Sequence, residues 1–193
     1  MVNKSVQRCL YLLLLVLPVL AFAAPPELGK QLRVGIVHGD GGSFAFQTPD
    51  GWVIDWKSGA DQGLPAVLYP QGGSWTDSPV VMYATLAKKK EDPSTLDAFI
   101  SDEMTRLRES SGGLKVHEGK PIATLGEANS AQIRNLSGDK HGNFESVAYI
   151  EEKKAYVRIV LTSRDRAAYE DSKDEFEQFV GSYKFLAENL FRR

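Results

Sequence analysis

The stretch FESVAYIEEKKAYVRIVLT, residues 144–162, contains two runs of strand-forming residues around a charged tetrapeptide. Residues 144–150 and 155–162 are rich in Val, Ile, Tyr, Phe and Leu, and residues 151–154 read Glu-Glu-Lys-Lys. β-Branched and aromatic residues favour extended backbone, and a short polar segment between two such runs is typical of a β-hairpin. We therefore predict two antiparallel strands here, joined by a turn at residues 151–154.

Further strands are predicted on the amino-terminal side of this hairpin. Residues 79–87 read Pro-Val-Val-Met-Tyr-Ala-Thr-Leu-Ala, so both alternating faces are largely apolar, as in a strand within the middle of a sheet. The other extended segments are predicted at residues 32–37, 44–46, 64–69, 115–116, 121–125 and 128–136, separated by turns rich in Gly and Pro.

Two segments have helical periodicity. In the first, the apolar residues at helical spacing are Leu96, Phe99, Ile100, Met104 and Leu107. We expect residues 92–94, Asp-Pro-Ser, to cap its start and residues 110–113 to end it. The second helix begins near residues 163–165 and is expected to bury Tyr169, Phe176, Phe179, Val180 and Tyr183. Many strands with only two helices predict the α+β class, built on an antiparallel sheet.

The amino terminus has the pattern of a cleavable secretory signal. Lys4 and Arg8 precede an apolar run at residues 10–20, and the run closes on Ala21-Phe22-Ala23-Ala24. A transmembrane helix needs about 20 apolar residues, and this run is shorter and is followed by two prolines. We expect cleavage between Ala23 and Ala24, with no membrane anchor retained, and export to the periplasm or, alternatively, secretion from the cell.

The predicted organisation is a signal peptide at residues 1–23, a flexible leader at 24–31, a single α+β domain at 32–187 and a carboxy-terminal tail at 188–193. The sole cysteine, Cys9, lies within the signal, so the mature domain can form no disulfide. Without Lys4 and Arg8 the chain has 21 basic and 25 acidic residues, and no basic cluster suited to nucleic acid. We predict no nucleic-acid partner and no cofactor.

One motif near the start of the predicted domain resembles a known superfamily. The spacing Phe-x-x-Pro-x-Gly-Trp at Phe46, Pro49, Gly51 and Trp52, followed by strands, the first helix, a strand meander and a closing helix, is similar to the PsbP/DcrB-like superfamily of small secreted α/β domains. Residues 62–70, 74–75 and 78–81 also resemble secreted bacterial proteins associated with this superfamily. The resemblance covers nearly the whole mature chain.

The resemblance implies a PsbP-like sandwich, in which an antiparallel sheet of about six or more strands is flanked by helices on both faces. It also implies an assembly factor, a chaperone or an accessory binding subunit, not an enzyme. The superfamily has no universal site whose residues could be carried over, and fold alone does not determine function.

Catalytic and metal-binding motifs are incomplete. Residues 37–42, Val-His-Gly-Asp-Gly-Gly, look like a glycine-rich oxyanion loop, but no G-x-S-x-G elbow accompanies them, and a hairpin turn is the better interpretation. The three histidines, His38, His117 and His141, are isolated from one another, which disfavours zinc. Asp139, Asn143 and Glu145 do not follow the calcium-loop spacing, so residues 138–143 are interpreted as a connection between strands.

Aromatic residues supply the candidate binding site. Trp52 and Tyr83 lie on predicted strands, and we expect them in the core. Trp56 and Trp75 lie in loops at residues 54–63 and 70–78, where packing and binding are both open interpretations. The candidate binding residues are Trp56, Gln62, Tyr69 and Trp75, and the two loops are expected near opposite ends of one hairpin.

Three functional classes follow. The leading hypothesis is a non-enzymatic exported binding or accessory protein that recognises a protein or envelope component through the Trp- and Gly-rich loops. The second is an immunity-type inhibitor of an exported toxin, since such inhibitors are small, exported and acidic. The third is a hydrolase of unknown type, because carboxylates are numerous enough to hold an acid–base pair that spacing does not reveal.

The signal predicts how the chain matures. The exported protein should begin at Ala24, because the short apolar run ends in an A-x-A site, and it should wash off membranes. Intact-mass measurement of the exported fraction checks this. Recovery of an uncleaved chain in the membrane pellet would contradict it.

Overall fold

The computed structural model describes residues 34–39, 41–89, 95–126 and 130–187. The strands within these ranges are β1 (Val34–Gly39), β2 (Gly42–Gln47), β3 (Trp52–Asp55), β4 (Ala66–Pro70), β5 (Val80–Lys88), β6 (Lys115–Glu118), β7 (Ile122–Ala123), β8 (Ser130–Ser137), β9 (Phe144–Glu151), β10 (Ala155–Ser163) and β11 (Lys184–Ala187). The α-helices are α1 (Leu96–Ser111), α2 (Arg166–Asp171) and α3 (Lys173–Gly181), and a short 3-10 helix spans Ala60–Gln62.

The strands form a large sheet and a small one. The large sheet has eight strands in the order β3-β4-β5-β10-β9-β8-β6, with β7 also paired to β8, and the small sheet has the order β1-β2-β11. All of these pairs are antiparallel. The predicted α+β class and large antiparallel sheet are confirmed, and the hairpin predicted at residues 144–162 is β9–β10, in the middle of that sheet.

Side chains alternate between the two faces of the large sheet and form two separate hydrophobic clusters. One cluster contains α1 and is formed by Leu96, Ile100, Met104, Leu136, Val147, Tyr149, Tyr156 and Val160. The other contains α2, α3 and the small sheet, and its residues from the central hairpin are Ala148, Ile150, Val157, Ile159 and Leu161. We call these sides of the large sheet the α1 face and the α3 face.

Helix α1 begins at Leu96. The side chain of Thr95 accepts a hydrogen bond from the backbone amide of Ala98 at 3.2 Å and is therefore the capping residue. The predicted cap at residues 92–94 lies outside the described residues. The predicted end is confirmed, because Gly112 follows the helix with a φ of 54° that disfavours residues with a side chain.

All five residues predicted to be buried here, Tyr169, Phe176, Phe179, Val180 and Tyr183, are buried, but the prediction of one continuous closing helix is wrong. The segment forms two helices, α2 and α3, which meet at the buried Ser172, and Tyr183 lies beyond α3. Residues 184–187 then form β11, which pairs with β2. The pairing joins residues about 140 positions apart, so local periodicity carries no signal for it. Trp52 is buried as predicted, whereas Tyr83 is half-buried.

In the described ranges, every helix is too short or too polar to cross a membrane. The predicted signal, leader and cleavage site, with Ala23 and Ala24, lie outside those ranges, as does the predicted tail. These boundaries remain predictions.

Gly35 provides a test of how the small sheet packs on the large one. A Cβ atom at this position would lie 2.8 Å from Cδ1 of Ile54 and closer still to Cζ of Phe46. Gly35→Ala should therefore lower the free energy of unfolding by about 1–3 kcal/mol, measured in urea. Gly126→Ala is the matched control, because the nearest atom to its Cβ among the described residues is Oγ1 of Thr124 at 3.9 Å, and it should change stability by less than about 0.5 kcal/mol. Equal stabilities for the two variants would contradict this packing.

Candidate functional site

The two loop tryptophans lie on opposite faces of the large sheet. Trp56 follows β3, is 45% exposed, and has its ring centre 6.4 Å from that of Phe46 in the α3-face cluster. Trp75 lies between β4 and β5 and packs edge-on against Tyr83 at 6.3 Å, on the α1 face. The structure therefore does not bring Trp56 and Trp75 together, and one binding surface can use only one of them.

Tyr69 and Gln62 both lie at the β3–β4 edge of the large sheet but differ in their contacts. The Tyr69 hydroxyl donates a hydrogen bond to Oδ2 of Asp55 at 3.2 Å, so Tyr69 ties β4 to the base of the Trp56 loop. Gln62 is exposed at the end of the 3-10 helix, and its side chain forms no hydrogen bond with the residues that the structure describes.

The Trp56 loop is held in one conformation by Asp55 and by glycine. Oδ1 of Asp55 accepts the backbone amides of Lys57 at 2.8 Å and Ser58 at 3.0 Å, and Oδ2 accepts the Ser58 hydroxyl at 2.6 Å. The hydrogen bond from the Ser58 hydroxyl has the largest effect on the pKa of Asp55, and together with those from the backbone amides it lowers this pKa to about 2. At Gly59 a Cβ would lie 2.5 Å from Cγ1 of Val67. Position 59 therefore requires glycine because a side chain would not fit against Val67, and not because the backbone needs a conformation special to glycine.

A second group of polar residues lies on the α1 face, and the strand register brings it together. Arg158 of β10 stands opposite Tyr149 of β9 and Thr85 of β5, while Thr162 stands opposite Glu145. Directly opposite residues of an antiparallel pair project from the same face. We define the α1-face cluster as these five residues with Tyr83 of β5 and Glu103 of α1.

Arg158 lies at the centre of the α1-face cluster. Its guanidinium donates to Oε1 of Glu103 at 2.8 Å and to the Thr85 hydroxyl at 3.2 Å. The Thr162 hydroxyl donates to Oε1 of Glu145 at 2.8 Å. Oε2 of Glu103 and the hydroxyl of Tyr149 are both buried without a hydrogen-bond partner among the described residues. The cluster thus has hydrogen-bonding capacity that the described part of the protein does not use.

Burial changes the acidity of several cluster members. The pKa of Glu145 is raised, chiefly because burial disfavours its charged form and also because Asp139 and Glu103 are negatively charged neighbours. Burial raises the pKa of Tyr83 to about 12, and it raises the pKa of Tyr149 as well. Both phenols therefore remain protonated at neutral pH and are available as hydrogen-bond donors.

Two grooves run along the sides of α1. The larger has a volume of about 850 Å³ and lies between α1 and strands β6 and β8, with Arg108, Arg134 and Gln132 among its lining residues. The smaller, of about 500 Å³, lies between α1 and the ends of β5 and β10, with Phe99 and Tyr156 in its wall. Charged side chains of both signs line each groove, so neither selects an anion or a cation by charge alone.

A metal site was not predicted, and the described residues include no cluster of three or more His, Cys, Asp or Glu side chains placed to hold an ion. Asp139, one of the residues considered for calcium, accepts the backbone amides of His141 at 3.1 Å and Asn143 at 2.7 Å. Its carboxylate organises the β8–β9 connection, which agrees with the interpretation of residues 138–143 as a loop.

The α1-face cluster was missed in the sequence, although two signals were present. Glu103 falls seven residues after Leu96 and three after Ile100, so it is a carboxylate on the apolar side of the predicted helix. Arg158 interrupts the apolar run of the predicted second hairpin strand. Both are charges at positions where burial is expected, but their pairing across 55 residues is visible only in the fold.

Comparison with known proteins supports the fold. No family model matches this sequence, and no curated protein matches it either. Among solved structures, the fold is similar to cyanobacterial PsbP (CyanoP) from Synechocystis sp. PCC 6803, with 13% identity, a TM-score of 0.52, and coverage of 86% of this chain and 99% of that chain. It is also similar to LpqN of Mycobacterium tuberculosis, with 17% identity, a TM-score of 0.54, and coverage of 82% and 93%. The predicted resemblance to PsbP-like domains is confirmed at the level of fold.

The low pKa of Asp55 predicts an acid-dependent contribution to stability. Because the folded-state pKa of about 2 is below the ordinary 3.8, the carboxylate stabilises the fold at neutral pH, and this stabilisation is lost as pH falls from about 4 to about 2. Asp55→Asn should melt below the wild type at pH 7, and the gap should close by pH 2. Asp61→Asn, an exposed change in the same loop, is the control at pH 7 and should melt close to the wild type there. A gap for Asp55→Asn that is the same at pH 7 and pH 2 would contradict the assignment.

Proposed function

We propose that this chain is a non-enzymatic exported binding or accessory protein, and that it holds a protein or envelope partner through the Trp56 loop, residues 54–63. Trp56 and the exposed Gln62 are its contact residues. The protein acts in the periplasm, or outside the cell if it is secreted.

The observation that carries this proposal is the exposure of Trp56. Nearly half of its surface is in contact with solvent, although tryptophan is usually covered in a folded domain. A large aromatic ring with a polar nitrogen is a frequent anchor in protein interfaces, because it buries much apolar surface at a small cost in side-chain entropy.

Two further exposed apolar side chains lie on β1, on the outer face of the small sheet. Gly35 of β1 packs on the same Phe46 ring that Trp56 flanks, and its neighbours in β1, Val34 and Ile36, are 57% and 43% exposed. β1 is an edge strand of the small sheet, a position where a partner's extended segment can add by backbone pairing. The edge of β1 is therefore a contact site separate from the Trp56 ring, because Val34 and Ile36 project from the outer face of the small sheet.

The loop geometry favours binding because it is already formed. Asp55 fixes the backbone at Lys57 and Ser58, and Gly59 packs on Val67, so little conformational entropy remains to be lost when a partner covers Trp56. The structural neighbour LpqN is described as involved in cell envelope biogenesis, which is consistent with an envelope partner for a protein of the same fold.

Affinity capture with variants of the mature chain tests the proposal. Wild-type protein should retain a specific partner from envelope extracts, and Trp56→Ala should weaken binding of that purified partner by about 2 kcal/mol or more, as anchor residues do. Trp75→Ala is the matched control, since it removes a tryptophan from the opposite face and should leave that affinity unchanged.

Thermal unfolding of the same variants separates binding from folding. Trp56→Ala should unfold close to the wild type because its ring is exposed. If it is instead destabilised by roughly 3–5 kcal/mol, as for truncation of a buried aromatic residue, Trp56 belongs to the core and the proposed surface is wrong.

A further inference from the structure

We propose that the free edge of β1 pairs with β1 of a second copy of this chain, so that two small sheets join into one sheet across a two-fold axis. This self-association goes beyond the proposed function, because it depends on β1 alone and uses no residue of the Trp56 loop.

β1 presents backbone groups that β2 does not use. Opposite residues of an antiparallel pair either bond to each other or turn their backbone groups away from each other. Gln47, opposite Val34, is of the second kind, because its amide donates to Oγ of Ser182 at 2.9 Å, on the β11 side. The backbone groups of Val34 and, two residues further on, of Ile36 therefore point away from β2. They have no hydrogen-bond partner among the described residues.

The other sheet edges that the structure describes are protected against pairing with another chain. β3 and β6 have four residues each, and β3 carries the charged Asp55 while β6 carries Lys115 and Glu118. β7 has two residues, and β11 carries Lys184 and has an irregular register with β2. Short strands, charged side chains and irregularities are the features by which natural sheets avoid edge-to-edge association.

β1 lacks this protection. Its six residues, Val34–Gly39, include no Lys, Arg, Asp, Glu or Pro, and its register with β2 is regular throughout. Val34 and Ile36 are 57% and 43% exposed and add apolar surface to the outer face of the small sheet. An uncharged, regular and apolar edge of this kind is a template for a further strand.

The sequence of β1 matches a second copy of itself. With the two-fold axis beside Ile36, this residue stands opposite its own copy, Val34 stands opposite His38, and Gly35 stands opposite Val37. The residues that turn their backbone groups outward are then aligned with one another, as an antiparallel ladder requires. No carboxylate or ammonium groups of like charge meet, and a pair of β-branched side chains is favourable across strands.

The same symmetry limits the assembly to two copies. Two-fold pairing is isologous, so it occupies the β1 edge of both copies. The joined sheet, in the order β11-β2-β1-β1-β2-β11, ends at both sides on β11, where Lys184 and the irregular register oppose further pairing. A strand of this length spans about 20 Å, so the interface is small and the dimer is weak and reversible.

Sedimentation velocity of the mature protein tests the proposal. The mean mass should rise from that of a monomer toward that of a dimer between about 1 μM and about 1 mM, as expected for a small interface. Ile36→Lys should weaken the association at least about tenfold, since it places two ammonium groups opposite each other. Leu125→Lys is the matched control, because it adds the same charge at an apolar side chain that is 63% exposed and lies outside the strands.

A mixture of two charge variants tests the two-fold register. Ile36→Lys and Ile36→Glu should each stay monomeric at a concentration where the wild type dimerises. An equimolar mixture should form a mixed dimer, because opposite charges then face each other across the axis. Native mass spectrometry identifies the mixed dimer when one variant is labelled with ¹⁵N.

Amide hydrogen exchange of the wild type gives a readout that needs no variant. The amides of Val34 and Ile36 should exchange more slowly at high than at low protein concentration, because the second copy covers them. The amides of Gly35 and Val37, which face β2, should exchange at the same rate at both concentrations. Melting temperatures show whether each variant is folded.

Four results would overturn the proposal. They are a wild-type protein that stays monomeric at about 1 mM, a dimer that Ile36→Lys leaves unchanged, equal weakening by Leu125→Lys, and the absence of a mixed dimer. Trp56→Ala should leave the dimer intact, whether or not a partner is captured through the Trp56 loop, so the two proposals fail separately.

Discussion

The pairing of β10 with both β5 and β9 is the interaction on which the rest of this structure depends. Val157, Ile159 and Leu161 of β10 are fully buried on the α3 face, while Tyr156 and Val160 are buried on the α1 face. Burial of each such side chain contributes about 1.5–3 kcal/mol to stability. A strand gains this contribution from the apolar residues on both of its faces only when both faces are covered. Coverage of both faces of β10 therefore requires a layer on each side of the sheet.

The layers that cover the two faces of the large sheet are built from different elements, and the Trp56 loop and the α1-face cluster differ accordingly. On the α3 face, the small sheet contributes Phe44 and Phe46, which together with Phe179 close the cluster with apolar side chains. On the α1 face, a single helix crosses the sheet. It leaves part of β5 and β10 to polar residues and to Trp75. The polar cluster joins this helix to the sheet, because Glu103 of α1 pairs with Arg158 of β10.

The Trp56 loop is held firmly against the β3–β4 edge of the large sheet. Asp55 joins the Trp56 loop to β4 through Tyr69, and Gly59 lets the same loop lie directly on Val67. Tyr69 therefore supports the loop through this hydrogen bond, and its role as a contact residue stays a prediction. Side chains that present a surface and side chains that hold it in place are not distinguished by residue type, because tyrosine serves both purposes.

Local sequence determined the elements whose signals are short-range. Alternating strand-formers around residues 151–154 predicted the central hairpin, helical spacing from Leu96 to Leu107 predicted α1, and the glycine pair after it predicted where α1 ends. The burial of Trp52 also followed from its place on a predicted strand. Tertiary structure alone decided what depends on distant partners. It decided the strand β11 against β2, the separation of Trp56 from Trp75, and the meeting of Glu103 with Arg158. Periodicity reports which side of an element is apolar, but it carries no information about which other element will cover that side, and every one of these features is set by that choice.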